Sequence, residues 1–211
     1  MNWIDAVLLV LLLISVIIGS KKGLIRELMA FLVFAVAIVI SVNYIDNFAV
    51  WVYNQLGGSP LISAFLSFII LIAFSYALFK LLGILFYKVA TVKDSGRRDQ
   101  MGGALIGFLR GWLAIGLLTL LVFLLPMPNS FYTAFEASFL GATVAKTVPL
   151  LYEGTSFAHP KNTKFITKIE NTLLDTPITS SSGTDMSEER AEVFRVMRQF
   201  DLFFNISSDE S

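Results

Sequence analysis

Arg97-Arg98-Asp99-Gln100-Met101-Gly102-Gly103-Ala104-Leu105-Ile106-Gly107-Phe108-Leu109-Arg110-Gly111-Trp112 is the most informative passage of this chain. Charge stands at its start, glycines recur at four-residue spacing through its middle, and an arginine lies well inside an apolar run. At about 3.6 residues per turn, Asp99, Gly103, Gly107 and Gly111 fall on one helix face with Arg110 beside them. In lipid such a face lets a second helix approach closely, because a missing Cβ opens the backbone to packing.

Composition carries that reading to the whole chain. Of 211 residues, 55% are hydrophobic and only 15% charged, and nineteen are Phe. A soluble domain carries about 25% charged residues, so the class is an all-α integral membrane protein. Sixteen basic and sixteen acidic residues cancel, which leaves no overall field to attract nucleic acid. The absence of Cys excludes disulfides and thiolate sites.

Working outward, four apolar segments read as spans, over about residues 3–20, 28–44, 61–88 and 102–125. The start, Met-Asn-Trp-Ile-Asp, has no basic residue and the first run ends in Lys21-Lys22, so it reads as a retained helix rather than a signal peptide. A short basic turn joins it to the second span, which predicts an antiparallel hairpin. Between spans two and three, Ile45, Phe48, Ala49 and Val52 recur at helical spacing and are expected to lie flat on the interface. Lys21, Lys22 and Arg26 follow span one, and Lys88, Lys93, Arg97 and Arg98 follow span three. The positive-inside rule places both groups at the cytoplasmic headgroups and both termini outside the cytoplasm.

Residues 127–211 are predicted to form an extracytoplasmic, amphipathic and partly disordered tail. Phe131, Phe135, Phe139, Leu140 and Val144 suggest one helical stripe ending before Pro149. Phe165, Ile166, Ile169 and Leu173 suggest a second, with Lys161, Lys164 and Lys168 on the opposite face. Thr176–Ser187 reads as a Ser/Thr-rich linker, after which Asp185 or Ser187 would cap a last helix bearing Val193, Met197, Phe200 and Phe204. These helices are expected to be interfacial or partner-binding rather than a globular domain.

Trp3-Ile4-Asp5 opening span one, Lys22-Gly23-Leu24-Ile25-Arg26-Glu27 opening span two, and Asp99, Gly102, Gly107, Arg110 and Gly111 in span four resemble the colicin V production protein (CvpA) family. The resemblance covers roughly the first 125 residues, with the motifs in the family's order. It implies a bacterial inner-membrane protein with a part in colicin V (toxin) production or export and in envelope homeostasis. Some relatives carry a trypsin-like protease domain, for which this tail is too short.

Asp5, Glu27, Asp99 and Arg110 are the intramembrane polar candidates. A mid-membrane arginine costs about 2.5–3.5 kcal/mol on insertion scales. Arg110 therefore either meets a carboxylate, with Glu27 the nearest in depth, or snorkels to the headgroups. Asp5 is either a helix-start acid or a proton-relay carboxylate. Gly23, Gly102, Gly103, Gly107 and Gly111 read as helix-packing positions, within one chain or between two. No catalytic constellation, metal site or cofactor motif is present, and the single histidine, His159, sits near a proline without a partner set. The expectation is a non-enzymatic protein whose partners are the bilayer and either a second copy or an envelope or export protein. A small transporter or channel component, and an anchor recruiting a periplasmic partner, are the rival readings.

Overall fold

The computed structural model describes residues 2–87, 96–159, 164–174 and 183–206. All regular structure among them is helical. Four long helices come first: α1 (Trp3–Lys22), α2 (Leu24–Leu56), α3 (Pro60–Tyr87) and α4 (Gly96–Phe123). Each contains a segment long and apolar enough to cross a bilayer, so this is a multi-pass membrane protein.

Helix ends follow local chemistry. No Gly or Pro interrupts residues 24–56, so α2 runs unbroken for 33 residues. At 1.5 Å per residue that is about 50 Å, well beyond a hydrocarbon core of about 30 Å. Gly57 and Gly58 end it with φ of +67° and +91°, and Pro60 opens α3, where its missing N–H costs nothing. The segment expected to lie flat on the interface is thus the far end of α2. Ile45, Ala49 and Val52 are buried there, because tail helices cover that stripe.

Helix order in space differs from helix order in the chain. The α1 helix packs along α4 far more than along α2, while α2 packs against α3 and α4. The simple hairpin expected of α1 and α2 gives way because the small-residue face of α1 fits α4. The described tail forms five helices: α5 (Asn129–Glu136), α6 (Gly141–Ala145), α7 (Thr147–Gly154), α8 (Phe165–Leu174) and α9 (Gly183–Phe204). A 3₁₀ turn, Ser156–Ala158, follows α7.

The tail builds on the ends of α2 and α4 instead of standing apart. Phe123, fully buried at the end of α4, contacts the rings of Phe131, Tyr132, Phe135, Phe200, Phe203 and Phe204 at centroid distances of 4.9–6.3 Å. All six are edge-on, the arrangement that aromatic quadrupoles favour. Phe165, Ile169 and Leu173 of α8 are buried, and α8 packs mainly on α2.

Three expectations for the tail are corrected. The Phe131–Val144 stripe is two helices with a turn between them, which leaves Phe139 88% exposed, and Pro149 lies inside α7. Lys168 is buried rather than on a wet face, because it meets Asp46 of α2. The last helix begins at Gly183, so Asp185 and Ser187 lie within it; the linker residues 176–182 fall outside the described residues.

Candidate functional site

The α1–α4 seam is built from small residues on both helices. Ser15, Gly19 and Gly23 recur every four residues on α1 and its junction, opposite Gly103, Gly107 and Gly111. A Cβ on Gly107 would stand 2.9 Å from the Cα of Gly19 and 2.9 Å from the Ser15 carbonyl. A Cβ on Gly19 would run into the Gly103 carbonyl, and one on Gly111 would lie 2.5 Å from the Ser15 Cβ. The two backbones therefore touch, and the seam closes within one chain. Gly102 lies off this line, where a Cβ would meet the Leu24 side chain at 3.0 Å. Ser15 and Gly19 were missed in the sequence, although their spacing from Gly23 is the same four residues.

At one end of the seam, Gly23 alone separates α1 from α2. Its φ of +82° is open to glycine and strained for other residues. A Cβ there would also collide with the Asp99 carboxylate. With that space free, Asp99 Oδ1 accepts the Leu24 N–H at 2.9 Å, so a side chain of α4 caps the start of α2. Lys21, Lys22, Arg26, Arg97 and Arg98 are exposed around this junction, and Lys88 and Lys93 fall outside the described residues.

One turn into α2, Glu27 is fully buried, and Arg110 Nε lies 2.9 Å from its Oε1. The Arg110 side chain keeps 19% of its surface exposed, and Lys22 Nζ stands 3.9 Å from Glu27 Oε2. Neither carboxylate oxygen has an aligned hydrogen bond among the described residues, so the attraction is that of contacting charges. Of the two readings of Arg110, the structure gives the carboxylate one.

At the opposite end, Asp5 fastens α1 to the tail. Its Oδ1 accepts the Ser138 hydroxyl at 2.6 Å and the Leu140 N–H at 3.1 Å, and its Oδ2 accepts the Phe139 N–H at 3.3 Å. Ser138 Oγ in turn accepts the Gly141 N–H at 3.0 Å, and the Asn2 side-chain amide donates to the Ala134 carbonyl. Asp5 thus serves amides of a distant turn, which sequence spacing could not reveal.

A second polar cluster lies where α2 outruns the bilayer length. Lys168 Nζ lies 2.6 Å from Asp46 Oδ2 and donates to the Asn43 carbonyl at 3.0 Å. Tyr152 donates its hydroxyl to Asn43 Oδ1 at 3.1 Å and stacks on the His159 ring at 4.0 Å. Burial, then the charges of Asp46 and Glu153, push the Tyr152 phenol above its usual range. Burial, then Lys168, hold the His159 imidazole below its ordinary pKa.

Comparison with known protein families matches residues 4–149 to the one described as colicin V production protein. The chain belongs to that family. In this colicin V production family member, the match runs beyond α4, further than the motif resemblance over the first 125 residues. The turn at 138–140 that Asp5 holds lies within the matched residues. No curated protein and no solved structure matches the chain.

Proposed function

We propose that this family member is a non-enzymatic protein of the bacterial inner membrane, acting in colicin V production or export and in envelope homeostasis through contact with lipid or a protein partner. One observation carries the reading. Each intramembrane polar candidate is committed to holding the chain together: Asp5 on the 138–140 turn, Asp99 on the Leu24 N–H, and Glu27 and Arg110 on each other. The exposed basic residues at the Gly23 end support a cytoplasmic location for it, with the tail and both termini outside.

Expression in cells that carry the colicin V plasmid but lack their own copy should restore toxin production. Purified protein in proteoliposomes should pass no ion or solute. A flux that Arg110→Ala abolishes, in protein that still inserts, would replace this reading with the transporter one. The anchor reading draws on Phe157, 89% exposed beyond α7. It requires that Phe157→Ser abolish toxin production while leaving the membrane level of the protein unchanged.

A further inference from the structure

The long helices leave a lipid-accessible groove. Both α3 and α4 pack on α2, and a cavity of about 450 Å³ lies between them. Phe34, Ile69, Ile72, Leu117 and Leu121 supply apolar walls, with Ala73 and Ala114 exposed at the rim. Because α3 and α4 run in opposite directions, Ile69 and Leu121 mark one end of the groove, and Tyr76, Ser15 and Arg110 the other. That second end is the one nearer the Gly23 junction.

Cationic side chains gather toward that end. Glu27 meets Arg110 through Nε, at one corner of the guanidinium. Lys80 stands one turn past Tyr76, its ammonium 5.9 Å from the centre of that ring. Arg110 and Lys80 thus put two cations toward this end, and Lys22 lies 3.9 Å from the one carboxylate, Glu27, that pairs with Arg110. An apolar channel with a cationic end matches an amphiphile with an acyl chain and an anionic head.

We propose that the α3–α4 groove binds an anionic membrane lipid, its acyl chain along the apolar walls and its phosphate on Arg110 and Lys80. This goes beyond the interaction reading and does not depend on it, since binding is measurable whatever the protein does in the cell.

The full-length protein in detergent is titrated with phosphatidylglycerol, phosphatidylcholine and inorganic phosphate, read by native mass spectrometry and by thermal midpoint. Phosphatidylglycerol should bind at least about tenfold more tightly than phosphatidylcholine, and phosphate alone should give no stabilisation. Ala114→Trp fills the groove from its exposed rim, and Lys80→Gln removes a head contact outside the Glu27 pair. Both should lose that preference while keeping the lipid-free midpoint of the wild type. Equal retention of the two lipids, stabilisation by phosphate matching that by lipid, or a preference unchanged in both variants overturns the proposal.

Discussion

Among the described residues, Glu27–Arg110 and Asp46–Lys168 are ion pairs built differently. Glu27–Arg110 ties α2 to α4 inside the membrane unit, with a carboxylate that is fully buried and lacks an aligned hydrogen bond. Asp46–Lys168 ties α2 to α8 beyond it, where Asp46 keeps 19% of its side chain exposed and Lys168 has the Asn43 carbonyl as a second acceptor. Losing a partner should therefore strand a bare charge in the first case and a hydrogen-bonded or hydrated one in the second.

That contrast can be broken most directly at Glu27. Glu27→Ala should lower unfolding free energy in bicelles by about 3–5 kcal/mol, the usual result of orphaning a buried charge. Adding Arg110→Met should recover most of the loss, and a double variant no better than the single one would remove the coupling. Next in size, Gly107→Leu should cost about 1–3 kcal/mol by forcing α1 off α4, seen as lost cross-linking between cysteines placed on the two helices. Asp46→Ala is expected to cost about 1–3 kcal/mol but to act locally, raising hydrogen exchange in α8 and sparing α1. Asp99→Ala removes the cap on Leu24 and should cost about 1 kcal/mol in the same bicelle assay.

The smallest effect is one of pH. Folding lowers the His159 pKa, so the neutral ring is the form that docks. Its stabilising share is complete above the ordinary histidine value of about 6.5 and falls away as pH drops through the lowered value. Exchange of α7 and α8 amides, corrected for intrinsic rate, should rise between pH 7 and pH 5, and His159→Phe should flatten that rise. An equal rise in the variant would assign the effect to another group.

Much of the membrane unit was legible because lipid imposes coarse rules. Apolar length announces a helix, basic flanks mark one end of it, and glycines at four-residue spacing announce a tight neighbour. Arg110 stood out because an arginine costs so much there. Lys168 did not, since a lysine on an amphipathic helix looks like an ordinary wet face. Asp46 offered no help, lying 122 residues away in the chain. Phe123 reads as one more apolar residue until six rings are found around it.

Residue order alone is enough to make the chain helical, to mark four segments fit to cross a bilayer, and to give α4 a face for close approach. Spacing within one helix is enough for each, because period and hydropathy are local properties. Three-dimensional packing is what brings α1 to that face, sets Asp99 on the start of α2, makes Asp5 grip the tail, and gives Arg110 to Glu27. Those pairings join residues between 75 and 135 positions apart or on different helices, and their geometry is fixed by how backbones meet, which no local pattern records.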